Sequence, residues 1–277
     1  MLDFLYSVIY GIIQGITEWL PISSTGHLIL AKDLFKLSTS ENFFEMFLVI
    51  IQLGSIIAVV LLFWNKLWPF KKNTTGKICC KPQTLKLWSK VLVGIIPALI
   101  LGLLLDNFMD KISNKIVVSV TLIVYGILFI LVENLNKGKK TKVNTLEDIS
   151  YKTAFFVGCF QALALIPGTS RSGATILGAM ILGFYRPVAA EFSFFIAIPT
   201  MCGASLLKIV KYFAKGYSFG GREIMILFVG TLVSFLVSVF AIKFLMNFIK
   251  KKNFVPFGYY RIALGILVLL LIPVLGM

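Results

Sequence analysis

Long apolar runs separated by short polar segments set the pattern of this chain. Six of the runs, about 44–64, 87–105, 116–135, 188–207, 223–246 and 260–276, meet the roughly 20-residue length that a helix needs to cross a bilayer, allowing for tilt. Two further apolar regions do not. Residues 4–20 are apolar, but the returning leg from His27 to Leu37 carries Lys32, Asp33 and Lys36, and the stretches 153–166 and 172–185 are each too short. Both regions predict re-entrant helical hairpins, about 4–37 and 153–185, with tips at 21–26 and 167–173 inside the membrane. Irregular backbone survives there only when it is buried in protein or lines a wet cavity.

Composition agrees with this pattern. With 58% hydrophobic residues, 14% charged residues and a mean hydropathy of +0.92 over 277 residues, the chain is a polytopic membrane protein rather than a soluble domain. A net charge of +15 would suit a nucleic-acid partner, but the basic residues sit in short loops between apolar runs, where bilayer orientation explains them. Nucleic acid is therefore excluded as a partner. The opening MLDFLYSVIYGIIQG lacks a basic leader region, so the N-terminus is expected to be retained. Cys79, Cys80, Cys159 and Cys202 show neither disulfide nor metal spacing and read as free thiols.

Lysine and arginine placement gives the orientation. Residues 65–90 carry Lys66, Lys71, Lys72, Lys77, Lys81, Lys86 and Lys90, and 137–152 form a second basic loop, so both are expected in the cytoplasm. Arg186, Lys243, Lys250, Lys251, Lys252 and Arg261 then fall on the same side, and both termini lie outside. The loop 208–222, with Lys208, Lys211, Lys215 and Arg222, runs against the bias. Asp106 and Asp110 read as part of a solvated outer loop. In this orientation the first hairpin enters from outside and the second from the cytoplasm, each followed by three crossings.

The expected fold is thus an all-α polytopic membrane protein of six transmembrane helices plus two re-entrant hairpins, in an inverted-topology repeat of 1–136 and 153–277 joined by the cytoplasmic linker 137–152. An echo between FFEMFLVIIQLGS and AAEFSFFIAIPTMCGAS, led by Glu45 and Glu191, supports the repeat. Secondary transporters share such an architecture, so a transporter or flippase stands as the alternative to an enzyme.

The chemistry concentrates at the two tips, QGITEWLPISSTGHL at 14–28 and QALALIPGTSRSGATI at 161–176. Charged groups in hydrocarbon are costly, at about 2.5–3.5 kcal/mol each on the insertion scale, so Glu18, His27 and Arg171 point to function. Two helices that begin inside the membrane, near Ser24 and Ser172, would aim free amides and positive dipole ends at an anion. Arg171 adds a planar fork suited to two phosphate oxygens, and Ser23, Ser24, Thr25, Thr169, Ser170 and Ser172 add hydroxyls. Gly26, Gly168 and Gly173 let backbone approach the ligand. Any one of these small residues alone would read as helix packing, and together with Arg171 they read as a phosphate site. Gln14 shares a helix face with Glu18, whose carboxylate needs His27 or Arg171 as partner. Gln161 reads as a plain interhelical hydrogen-bonding group.

At these residues the chain resembles the undecaprenyl-diphosphate phosphatase family of integral-membrane proteins, also called bacitracin-resistance proteins. The resemblance rests on an (E/Q)xxxE motif, here Gln14 and Glu18, running into PxSSTGH at 21–27, and on PGTSRSG at 167–173. It implies hydrolysis of a C55 polyprenyl diphosphate to the monophosphate and inorganic phosphate, at the outer face of the bacterial cytoplasmic membrane. It implies Glu18, Ser24, His27 and Arg171 as the catalytic set, with Gln14, Ser23, Thr25, Gly26, Gly168, Thr169, Ser170, Ser172 and Gly173 at the phosphates. Stimulation by a divalent cation, Mg2+ or Ca2+, held by the diphosphate and Glu18, is also implied, as is competition with bacitracin for the lipid. A homodimer is a further expectation. Two chemical assignments stay open: Ser24 as nucleophile with His27 handling its proton and Glu18 orienting His27, or His27 as the nucleophile or activator of water.

Overall fold

The computed structural model describes residues 2–72, 77–112 and 114–274. The chain runs α1 (Leu2–Thr17), α2 (Ser24–Leu34), α3 (Glu41–Leu62), a single turn α4 (Trp64–Leu67), a two-stranded antiparallel ribbon β1 (Phe70–Lys72) and β2 (Ile78–Cys80), and α5 (Pro82–Ile112). It continues with α6 (Lys115–Asn136), α7 (Tyr151–Ala162), a 3-10 turn at Leu163–Leu165, α8 (Arg171–Ile181), α9 (Arg186–Ala214), α10 (Gly221–Lys251) and α11 (Val255–Val274). Among the described residues, α3, α5, α6, α9, α10 and α11 are long and apolar enough to cross a membrane. They coincide with the six apolar runs of the sequence. The chain is a multi-pass helical membrane protein.

Helix starts follow local chemistry. Ser40, Asn114 and Ser150 each accept a hydrogen bond from the third residue of the helix they precede, which satisfies one of the amides left over at a helix N-terminus. Helices then meet where small residues let backbones approach. A Cβ at Gly11 would lie 2.7 Å from the Gly230 carbonyl, and one at Gly15 would lie 2.8 Å from that of Ser234, so α1 lies directly on α10. Gly158 against Gly94 does the same for α7 on α5, and Gly126 against Gly258 for α6 on α11. The packing pattern has a regularity. α10 holds α1 and α3 as α5 holds α7 and α9, while α3 meets α9 and α6 meets α11.

The structure departs from the sequence expectation in several places. The ribbon β1–β2 was not foreseen in the basic segment 65–90. Backbone at Asp106 and Asp110 continues α5 rather than forming a loop, and their side chains lie outside the described residues. Three basic residues that counted as orientation signals are built into the protein. Lys90 is buried and donates to the carbonyls of Leu146 and Glu147, which ties α5 to the linker. Arg186 pairs with the buried carboxylate of Glu133 at 2.5 Å, and Arg261 is fully buried. The linker itself is ordered by Asp148, whose carboxyl is held below its ordinary range by the Thr145 hydroxyl and by the amides of Thr145 and Asn144.

Candidate active site

The two sequence motifs fold into the same local structure. Each ends a helix, turns, and starts a new helix on a serine cap: Ser23 before α2 and Ser170 before α8. Ser23 and Ser170 have φ of 73° and 72°, and no other described non-glycine residue has positive φ. Each hydroxyl accepts from the amide three residues on, Gly26 at 3.3 Å and Gly173 at 3.2 Å. A non-glycine residue at positive φ costs roughly 1–3 kcal/mol, so the same strain at two matching positions signals a conformation that the site requires. Ser24 and Arg171 therefore occupy equivalent places, the first helical residue after each cap.

The two starts come together around one carboxylate. Glu18 is buried; its Oε1 accepts from Arg171 Nη2 at 3.2 Å, and its Oε2 accepts from Gln14 Nε2 at 3.0 Å and from the Ser24 hydroxyl at 3.2 Å. Arg171 also donates to the Ser193 carbonyl at 3.0 Å, and its guanidinium carbon lies 5.5 Å from the centre of the buried Trp19 ring. Among the described residues its Nε has no hydrogen-bond partner. Of the two partners open to Glu18 in the sequence, Arg171 makes the pair.

His27 is placed differently. Its Nδ1 lies 2.7 Å from the Ser23 carbonyl, which can only accept, so Nδ1 carries a hydrogen. Its Nε2 lies 2.7 Å from the Tyr260 hydroxyl, which can donate to it. The two rings are nearly parallel, at 5°, with centroids 5.6 Å apart. His27 thus lies beside α11, and its ring bonds go to Ser23 and Tyr260 rather than to Glu18 or Ser24.

The remaining tip residues divide by what they touch. Thr25 is exposed at the mouth. Ser172 is buried and donates to the carbonyls of Glu18 and Leu20, locking the second tip to the first, and Ser170 lies 3.2 Å from it. Thr169 is fully buried. Gly168 has φ of 85°, and a Cβ there would lie 2.2 Å from Thr121 Oγ1, so no side chain fits. Gln161 donates to Thr200 at 3.3 Å between α7 and α9, as expected, although among the described residues its Oε1 has no hydrogen-bond partner.

Two site residues were missed in the sequence. Arg261, on α11, donates to Pro21 O at 3.2 Å, Gly168 O at 3.0 Å and Thr169 O at 3.0 Å, so one guanidinium clasps both tips. Its neighbour Tyr260 holds His27. A signal was available: YYRIALGIL places an arginine at the start of an apolar run, and the reasoning that singled out Arg171 applies to it equally.

Taken together, the fold and the site define a multi-pass helical membrane protein with an arginine–carboxylate–serine cluster at two paired helix starts, an arrangement suited to an anionic headgroup. The chain belongs to the bacitracin resistance protein BacA family, whose pattern matches residues 7–267. It is 53% identical over 271 residues to the undecaprenyl-diphosphatase of Acetivibrio thermocellus, covering 98% of each chain. It is 52% identical over 271 residues to that of Enterococcus faecalis, covering 98% of this chain and 97% of the relative. With that of Lactiplantibacillus plantarum it shares 55% over 272 residues, covering 97% of this chain and 98% of the relative.

Proposed function

We propose that this protein is an undecaprenyl-diphosphatase, which hydrolyses undecaprenyl diphosphate to undecaprenyl phosphate and inorganic phosphate and so recycles the lipid carrier of cell-wall synthesis. The observation that carries this reading is the buried Glu18–Arg171–Ser24 cluster at two serine-capped helix starts. The names of its relatives point the same way. The transporter alternative is not favoured, because those relatives carry the name of a hydrolase.

In this reading the helix pairs α1–α2 and α7–α8 are re-entrant hairpins of an inverted repeat, 1–136 and 153–277. Support comes from the matching strained caps and from packing in which α1 and α3 relate to α10 as α7 and α9 relate to α5. The basic segments 65–90 and 137–152 face the cytoplasm, both termini lie outside, and the site opens to the outer face.

In the mechanism, Arg171 and the first amides of α2 and α8 receive the terminal phosphate, with Thr25 at the rim. Ser24 Oγ attacks phosphorus, and its proton passes to Glu18 Oε2, the acceptor already bonded to it. The bridging P–O bond breaks, and undecaprenyl phosphate departs as Arg171 neutralises the charge that develops on the phosphoryl oxygens. The departing phosphate oxygen leaves as an anion and needs no proton. Water then attacks the phosphoserine phosphorus and gives its proton to His27 Nε2, the P–O bond to Ser24 breaks, and Glu18 returns its proton to Ser24 Oγ as inorganic phosphate departs. This assignment differs from one in which His27 takes the Ser24 proton, because Glu18 is the acceptor beside that hydroxyl. Gln14 holds Glu18 in place. Ser23 and Ser170 hold the caps, and Gly26, Gly168 and Gly173 keep the tips clear of side chains.

A divalent cation, Mg2+ or Ca2+, is implied by the family resemblance. Among the described residues the only carboxylate in the cluster is Glu18, both of whose oxygens are engaged by protein donors, so these residues do not form a cation-binding centre of their own. Such an ion would accompany the diphosphate and neutralise part of its charge. Bacitracin is proposed to compete for the same diphosphate lipid. A homodimer would need a surface other than the small-residue faces of α1, α6 and α7, which are used within the chain.

The test is release of inorganic phosphate from undecaprenyl diphosphate by the purified protein, followed by trapping of the phosphoryl-enzyme. Label on Ser24, lost in Ser24→Ala and kept in His27→Ala, supports the assignment. Absence of release with any divalent cation would overturn it.

A further inference from the structure

A second cavity, about 510 Å³, lies between α5, the 3-10 turn after α7, and α9. Its walls are apolar: Ile95, Leu99 and Leu103 from α5, Leu165 from the turn, and Pro199 and Leu207 from α9. Arg171, Gln161 and Thr200 line one end, and Lys211 lies at the other. Gln161 is 2% exposed, and among the described residues neither its Oε1 nor Arg171 Nε has a hydrogen-bond partner. From Thr200 to Lys211, the cavity follows α9 for about 16 Å at the rise of an α-helix. The flanking Leu99, Leu103 and Leu207 are 56%, 68% and 46% exposed on the lipid-facing surface of the bundle.

These features describe a groove for an amphiphile, with a guanidinium at one end and a continuous apolar wall leading away from it. The guanidinium is the one that pairs with Glu18, so the groove and the phosphate site share Arg171. Glycines keep the groove open. A Cβ at Gly203 would meet nothing within 4 Å, and one at Gly102 would meet only Leu165, at 3.6 Å.

We infer that the α5–α9 groove is the binding site for the polyprenyl chain of the substrate, holding the isoprene units that follow the first one after the diphosphate while the rest of the chain passes sideways into the bilayer. This inference rests on the diphosphatase reading. It makes Gly203 and Gly102 specificity-determining positions, because a larger side chain at either would fill space the chain occupies, whereas a headgroup with only a short chain would be unaffected.

The experiment compares phosphate release from undecaprenyl diphosphate and from dimethylallyl diphosphate, a single isoprene unit, by wild type and Gly203→Leu. The expected result is a KM for the long chain raised about tenfold or more, the scale of one misfitted group in an apolar pocket, with short-chain kinetics unchanged. A second variant guards against misfolding: Gly203→Cys in a Cys202→Ser background, purified folded and then blocked with a bulky thiol reagent, beside the equally treated Cys202→Ser parent. Blocking should depress long-chain turnover alone. Unchanged long-chain KM in both variants overturns the inference, as does equal loss with both substrates. Failure of wild type to release phosphate from either substrate would instead overturn the diphosphatase reading.

Discussion

Replacing Arg261 should uncouple the two tips while leaving a folded protein. The side chain donates to three buried carbonyls, two in the second tip and one in the first. A carbonyl left buried without a donor costs about 1–3 kcal/mol, so Arg261→Met removes about 3–9 kcal/mol of local restraint. Against this, the buried guanidinium no longer has to be desolvated, which returns several kcal/mol. The net loss of stability is then modest, about 1–4 kcal/mol, but nothing holds the Pro21 carbonyl to those of Gly168 and Thr169. A displacement of about 1 Å at a reacting centre costs about a hundredfold in rate. Steady-state phosphate release from undecaprenyl diphosphate should therefore show kcat down about a hundredfold in Arg261→Met, in protein that still elutes as one species and melts cooperatively. Arg261→Lys, which keeps the charge but not the planar fork, should fall between the two. A folded Arg261→Met with wild-type kcat would refute the clasp.

Two further outcomes are expected. Gly168→Ala places a Cβ 2.2 Å from Thr121 Oγ1 at a φ of 85°, so melting of the purified protein should fall by more than the roughly 1 kcal/mol of a simple glycine replacement, with phosphate release lost in step. Cys80 is exposed at the end of β2 in the basic segment; with Cys79, Cys159 and Cys202 changed to serine, a membrane-impermeant maleimide should label it in inside-out vesicles and not in intact cells. Labelling in intact cells would reverse the proposed orientation.

Much of this molecule is legible in the sequence because the bilayer imposes a simple rule: a spanning helix must be long and apolar, and each of the six runs became one helix. The tips were legible for the opposite reason, since Glu18, His27 and Arg171 stand out where charge is costly. Contacts between distant segments were not legible. Nothing local distinguishes Arg261 as a clasp from a basic residue at a helix end, because its three carbonyl partners lie 92 to 240 positions away. The partner of His27 was hidden in the same way, as Tyr260 is 233 residues on. The choice of Arg171 over His27 for Glu18 likewise depends on how two hairpins meet, which spacing along the chain does not specify. The β1–β2 ribbon escaped because its strands are only three residues long and sit among lysines.

The measurement that bears most directly on the function is inorganic phosphate release from undecaprenyl diphosphate by detergent-purified wild type, Glu18→Ala and Arg171→Ala at matched folding. Turnover in wild type that collapses in both variants is expected, because each change removes one partner of the buried pair at the tips. Wild-type turnover that survives either change in folded protein would contradict the placement of the chemistry at Glu18 and Arg171.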